Sequence, residues 1–462
     1  MDFSLLKDQI KTDAFSDQPL SILNPRARDA FAMIMEIVLL ETSGREIWSA
    51  WQARQFESLA KHAAQRSPTW RKRFGLTPPN LQNLKNMPVL SRRNVAEVFK
   101  SEGSLIPKGA NIRVALNASS GSSGTPAQFY VTSRAGQYNG ARGIVQDLIE
   151  DRDFRESRSK VSSATSDVTK NQPKYFSSKT VDDWLGILSG VFEGGRYRKI
   201  RYLNSQEALL EELRMNPPAH LVCSPAVMDV ILAPRGIDFL KDIGTKRWIQ
   251  FAGHRAPGTY ETFREAGIEI SANYSSEETG PIAFECASCP GHYHVAVSNV
   301  IVEEDSRVQA EFEGETLSRL LVTHLHSFAS PFIRYDIGDF GRLHNQCPCG
   351  KDIPTLSNIY GRAKQFLFMP DGRYMSFYFD AKDILSRVQC DEFQIRQTDL
   401  ETIEVTLSRK APLSDDEEAA LRAFFHFKTG YEFNLHAQVV DEIDWRNNPK
   451  QLGFISEVSG KI

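Results

Sequence analysis

Residues 117–126 of this chain read NASSGSSGTP, a run of small hydroxyl and glycine residues between two strand-like segments. Gly121 and Gly124 let the backbone bend until amide hydrogens converge on an anion, and Ser119, Ser120, Ser122, Ser123 and Thr125 add short hydroxyl donors. The stretch is a candidate phosphate-handling loop. It has neither the G-x-x-x-x-G-K-[ST] spacing of the P-loop nor a lysine, and composition alone favours a flexible linker. Downstream lie two acidic segments, NYSSEETGP at 273–281 and PFIRYDIGDFG at 331–341, then YGRAKQ at 360–365 and Ser459-Gly460-Lys461.

A second chemistry is written in cysteine and histidine. Cys286-x-x-Cys289 with His292 and His294 precedes Cys347-x-Cys349 by some sixty residues, and thiolates with imidazole at such spacing suit a tetrahedral structural zinc, Cys₃His or Cys₄. Cys289, His294, Cys347 and Cys349 are the favoured four, with Cys286 the main substitute; the alternative is separately buried reduced thiols. Nothing accompanies the thiols that would suit a catalytic zinc. Cys223 and Cys390 stand in apolar surroundings and read as core, while His324 and His326 alternate on a strand with one face expected to be solvated.

The elements that must position these groups read as α/β. Amphipathic helices are expected over 29–41 and 47–65, with a proline break at 78–79. Strands at 112–116 and 220–223 then alternate with helices at 206–215 and 226–233. The polar stretch 157–174 reads as a loop or lid. Beyond 361 the pattern becomes hairpin strands at 392–396 and 403–407, a helix at 414–427 and a strand at 432–440, a compact α+β unit.

Composition narrows the class. With 462 residues, 41% hydrophobic and 24% charged, the chain is an ordinary globular protein larger than one core usually organises. A net charge of -3 argues against nucleic acid or an anionic membrane as the main partner. The apolar run 30–40 is interrupted by Glu36 and too short to span a bilayer, and it lacks the flanks of a signal peptide, so a cytoplasmic protein is expected.

A Ser/Thr/Gly loop, then Tyr-x-x-x-Glu, Tyr-x-x-Gly-Asp, Gly-Arg at a domain boundary and a terminal Gly-Lys, in that order, resembles the adenylate-forming superfamily of acyl-CoA synthetases over about residues 110–462. The chain looks most like the phenylacetate-CoA ligase group and its capsule-biosynthesis-type relatives. Tyr274-Ser-Ser-Glu-Glu-Thr-Gly runs into Ile282-Ala-Phe-Glu-Cys286, and Cys347-Pro-Cys-Gly-Lys is followed by Pro354 and Gly361-Arg362. Some members of that group carry a comparable Cys, His and Cys-x-Cys set.

The resemblance implies a large N-terminal α/β domain that binds ATP and a carboxylic acid, with residues 1–105 a helical preamble and 106–361 the remainder, and a small mobile α+β domain over 362–462. It implies attack of a carboxylate on the α-phosphate of Mg-ATP, release of pyrophosphate, and transfer of the acyl group to a thiol, CoA first. In these terms Lys461 bridges carboxylate and phosphate, and Glu278 holds Mg²⁺ with Glu277 its rival. Tyr274 and Ser275 lie by the adenine, Asp339 takes the ribose hydroxyls with Arg362 beside them, and the 119–125 loop meets the phosphates. Ala252, Gly253 and His254 line the acyl pocket, and Lys364 is the hinge.

Three departures leave alternatives open. Thr125 stands where many relatives have lysine, FLFMPDGRY at 366–374 replaces the Gly-rich thioesterification loop, and Lys461 is penultimate, on a tail expected to fray. The acceptor could be a carrier protein or an amine, or the chain a degenerate nucleotide-binding scaffold. The acid is open too, since apolar content around 184–192 permits an aromatic or medium acyl group, and so is the oligomeric state, relatives often being dimers.

Overall fold

The structure is a computed structural model. It describes residues 9–11, 23, 25–75, 79–118, 128–163, 176–181, 184–202, 206–232, 235–251, 255, 258–312, 315–360, 366–371, 374–376, 384–390, 392–443 and 454–458. The chain divides into two compact units, the larger comprising 1–117, 129–164 and 172–359 and the smaller including 360–462.

The larger unit opens with helices α1 (Pro25–Thr42), α2 (Arg45–Arg66), α3 (Pro68–Phe74) and α4 (Arg92–Glu102). Helix α4 starts where Ser91 and Asn94 form a reciprocal capping box. Strands β1 (Val114–Ala118) and β2 (Gln128–Thr132) make a two-stranded sheet, and Thr132 caps helix α5 (Ser133–Ile149) by accepting from the Ala135 amide.

Strands and helices then alternate. They run β3 (Arg158–Ser163), β4 (Phe176–Val181), β5 (Tyr197–Tyr202), α6 (Gln206–Met215), β6 (His220–Cys223), α7 (Pro225–Leu232), α8 (Asp238–Asp242), β7 (Arg247–Phe251), α9 (Thr259–Glu265) and β8 (Glu269–Ser276). Six strands follow: β9 (Gly280–Cys286), β10 (Cys289–Val295), β11 (Val300–Phe312), β12 (Glu315–His324), β13 (Tyr335–His344) and β14 (Thr355–Tyr360). Strands β3 to β14 join one twelve-stranded sheet in the order β11-β12-β13-β14-β10-β9-β8-β7-β6-β3-β5-β4. Its middle, β5-β3-β6-β7-β8, is parallel, and the β8–β9 pairing turns it antiparallel.

Burial explains the arrangement. Val161, Ile200, Leu221, Cys223 and Trp248 from one face of the parallel strands pack with Leu209, Leu213, Ile231 and Phe263 from α6, α7 and α9 into one core. A second core joins α1 and α5 to Leu185, Leu188, Val191 and Phe192. The apolar content around 184–192 is therefore core packing.

The smaller unit contains the hairpin β15 (Phe366–Phe368) and β16 (Tyr374–Ser376), then β17 (Glu392–Gln397), β18 (Thr402–Ser408), α10 (Asp415–Thr429), β19 (Asn434–Val440) and β20 (Phe454–Ser456). Its four-stranded sheet, ordered β19-β18-β17-β20, packs Phe393, Ile395, Val405 and Leu407 against Leu421, Phe424 and Phe425 of α10. Ser414 and Glu417 box the start of α10, and Gly430 in the left-handed region ends it.

Two expectations need correction. Of the polar stretch 157–174, residues 158–163 form β3, an interior strand of the sheet, because alternate residues Ser159 and Val161 are buried between neighbours that their composition does not reveal, and 164–174 lie outside the described residues. His324 and His326 show no solvated face: His324 is 4% exposed, and His326 lies beyond the strand, stacked on Tyr138 with ring centroids 4.5 Å apart. Among the described residues no helix is long and apolar enough to cross a membrane.

Candidate active site

In an open α/β sheet, ligand chemistry gathers outside the carboxyl ends of the parallel strands. Here β8 delivers the NYSSEETGP segment to that edge. Glu278 lies in the turn between β8 and β9 and is buried, whereas Glu277 is exposed, so Glu278 is the inward-facing carboxylate of the pair. The Tyr335 hydroxyl, fully buried at the start of β13, donates to Glu278 Oε1 at 2.9 Å.

The turn is held from several sides. The Thr279 amide donates to Ser276 Oγ at 3.1 Å, and Asn299 donates from its amide nitrogen to the carbonyls of Thr279 and Pro281. Gly280 has φ +68°, and a Cβ there would lie 2.4 Å from the Asn139 side chain, so only glycine fits. One end of the segment is coupled to β13: the Tyr274 hydroxyl donates to Asp339 Oδ2 at 2.7 Å. Gly338 (φ +81°) precedes Asp339 within β13, at an irregularity in its pairing with β12, and its amide donates to Asp336 Oδ1. Ser275 is exposed on β8, near the turn.

Behind this turn lies a buried polar network that sequence reasoning missed. Arg142 of α5, fully buried, donates to Ser298 Oγ at 3.0 Å, and Glu41 of α1 accepts from the Ser298 amide at the same distance. Burial pulls the Arg142 guanidinium down to about 10, with Glu41 opposing the fall, and raises the Glu41 carboxyl. His326, lowered to about 3 by burial and by Arg142, faces the Ser298 carbonyl at 2.9 Å. His324 is held neutral by burial, with the Glu278 backbone beside it. An arginine inside a helix carries no signal of such a role, whereas Tyr335 stands within the IRYD segment and was open to notice.

The cysteine and histidine set converges in the same unit. The β9–β10 hairpin and the turn after β13 bring donor atoms of Cys286, His294, Cys347 and Cys349 to within 4.8 Å of one another. Cys349 Sγ lies 3.4 Å from His294 Nε2. Cys286, the substitute in the sequence reading, takes the place given there to Cys289, which pairs with it across the hairpin. Cys289 does not belong to the cluster, although it is the cross-strand partner of Cys286. Burial pushes the Cys347 thiol up to about 12 and lowers His294 to about 4. Burial also opposes ionisation of Cys349, but the Lys351 amide and the neighbouring thiols bring it below the ordinary thiol value.

Ser119, Ser120, Gly121, Ser122, Ser123, Gly124, Thr125, Ala252, Gly253, His254, Arg362, Lys364 and Lys461 lie outside the described residues.

No family model matches the chain, and no curated protein matches its sequence. Solved structures do match. A 2-hydroxyisobutyryl-CoA ligase in complex with 2-HIB-AMP and CoA, in the thioesterification state, superposes with TM-score 0.57 at 14% identity over 91% of this chain and 92% of its own. An open conformation of that ligase gives 0.52 at 16% identity over 88% and 91%, and its postadenylation state 0.52 at 15% over 88% and 89%.

Proposed function

We propose that this chain, which has the adenylate-forming fold, activates a carboxylic acid with ATP and passes the acyl group to an acceptor, the thiol of CoA in the first instance. The observation that carries the reading is the meeting of two tyrosine–carboxylate pairs, Tyr335 with Glu278 and Tyr274 with Asp339, at the edge where β8 ends and β13 passes.

A carboxylate oxygen attacks the α-phosphorus, the bond to the bridging oxygen breaks, and pyrophosphate leaves. Both reactants are anions, so positioning and charge neutralisation dominate over proton transfer. Glu278 suits Mg²⁺, a hard ion that takes carboxylate and phosphate oxygens, and the Tyr335 hydroxyl fixes which carboxylate oxygen remains for it. Asp339, to which the Tyr274 hydroxyl donates, would receive the ribose hydroxyls. Lys461, Arg362 and the 119–125 loop keep the roles that the family resemblance implies. In the second half, the acceptor thiol attacks the acyl carbon, AMP leaves, and the thiol proton passes to solvent.

Cys286, His294, Cys347 and Cys349 have the donor chemistry of a closed zinc site. A zinc there would tie the β9–β10 hairpin to the turn after β13 and take no part in the transfer.

The test is pyrophosphate release from Mg-ATP across aryl and alkyl carboxylic acids, with and without CoA, for wild type, Glu278→Ala and Lys461→Ala. Acid-dependent release lost in both variants supports the reading. ATP binding without release for any acid refutes it in favour of a non-catalytic scaffold. Sustained turnover that needs CoA and yields an acyl thioester assigns CoA as the acceptor, whereas a hydroxylamine-trappable adenylate whose turnover CoA does not stimulate assigns a carrier protein or an amine.

A further inference from the structure

Three adjacent strands at one margin of the large sheet carry a row of lysines in register. Lys160 on β3 is the Cα partner of Lys199 on β5, and Lys199 is the partner of Lys179 on β4. All three are exposed, and Arg201, two residues along β5 on the same face, is exposed as well. No position on this face of β3, β4 or β5 is acidic: the others are Arg158, Ser162, Ser177, Val181 and Tyr197.

The opposite face of the same strands is arranged differently. There Arg198 pairs with Glu212 of α6, which also accepts from Ser178. Like charges directly opposed across strands destabilise a sheet, so a row of three opposes folding unless it does something else.

The row leads toward the candidate active site. The Lys160 ammonium sits 5.1 Å from the centroid of Phe251, the last residue of β7, and its electrostatic neighbours include Lys199 and Glu277, adjacent to Glu278. With strands about 4.8 Å apart and about 6.8 Å between alternate residues, the cations span roughly 10 by 7 Å. That is the footprint of a few phosphates or carboxylates and far below the roughly 800 Å² per partner of a stable protein interface.

We propose that this face of β4-β5-β3 is a binding site for a small polyanion, the multiply charged end of one of the enzyme's substrates. Two sources share that chemistry: further anionic groups on the acid, or the phosphates of a nucleotide-bearing thiol acceptor. The site stands on the register alone. Only the identification of its ligand with a substrate rests on the adenylation reading.

Binding is measured first, without turnover, by calorimetry at low salt. The probes are citrate and adenosine 3′,5′-bisphosphate, with acetate and adenosine 3′-monophosphate as their singly substituted controls. Wild type is expected to bind at least one probe tenfold or more tightly than its control, and Lys179→Glu/Lys199→Glu to lose that margin. Lys199→Ala, by relieving repulsion, should leave the melting temperature unchanged or raise it. Equal binding of probes and controls, or a double variant that binds as wild type does, overturns the proposal. A lowered melting temperature for Lys199→Ala with binding intact also overturns it, as a structural role. In turnover, a raised KM for di- and tri-anionic acids but not monocarboxylates assigns the acid as the source. A raised KM for CoA but not 3′-dephospho-CoA assigns the acceptor. Failure of adenylation with the binding margin intact refutes the functional reading and leaves the site standing.

Discussion

Replacing Tyr335 with phenylalanine removes one hydroxyl from a fully buried ring and leaves Glu278 Oε1 without the donor it holds at 2.9 Å. A hydrogen bond to a charged group contributes about 1.5–3 kcal/mol, and loss of one partner exposes the other to its full desolvation penalty. If the hydroxyl orients the carboxylate that neutralises charge at the phosphate, the loss is felt in the transition state. At about 1.36 kcal/mol per decade, kcat/KM should fall by roughly 10- to 150-fold. Glu278→Gln keeps the shape and a hydrogen-bond acceptor while removing the charge, and should lose activity more completely at smaller cost in stability. The assay is acid-dependent pyrophosphate release for the three proteins, with urea denaturation midpoints alongside. Tyr335→Phe activity within twofold of wild type would refute the reasoning, because the pair would then hold the turn without serving the chemistry.

Other tests follow from the same geometry. Cys286→Ser should lose bound zinc and lower the thermal midpoint, whereas Cys289→Ser should keep stoichiometric zinc, as read by elemental analysis of purified protein; equal loss from both would return Cys289 to the ligand set. Gly280→Ala should destabilise the larger unit by at least about 1 kcal/mol and reduce activity, since the new Cβ meets Asn139 at 2.4 Å with φ +68°; an unchanged midpoint would count against the turn geometry. Stability should fall as pH drops below about 6.5, because His326 (about 3), His220 (about 4) and His324 titrate lower in the folded chain than in the unfolded one. The unfolded state then binds more protons, so stability rises with pH across that window, and unfolding at pH 5.5 should take up protons, less so in His326→Gln.

How much was legible depended on whether the signal was local. Helices α6 and α10 and the strands around 392–397 and 402–408 were readable from periodicity, because each shows its apolar side at a fixed interval and ends at a cap or turn. Strand β3 was not: its serines and lysine look like loop, and only its neighbours on both sides make Ser159 and Val161 interior. The order of the motifs along the chain was enough to suggest the fold that the superpositions show.

Residue types and their order are properties of the sequence, and they determined which chemistries were available: a carboxylate turn, a Tyr-x-x-Gly-Asp segment, and thiols near imidazole. Which atoms meet is a property of the sheet. Glu278 rather than Glu277 is buried, Cys286 rather than Cys289 joins His294, and Tyr335 is the donor brought to Glu278, because these meetings are made by the β8–β9 turn, the β9–β10 hairpin and β13, which residue type and order do not reveal. The lysine row is the same lesson in its plainest form. Lys160, Lys179 and Lys199 are scattered singly along forty residues, and only the pairing of β3, β5 and β4 places them side by side.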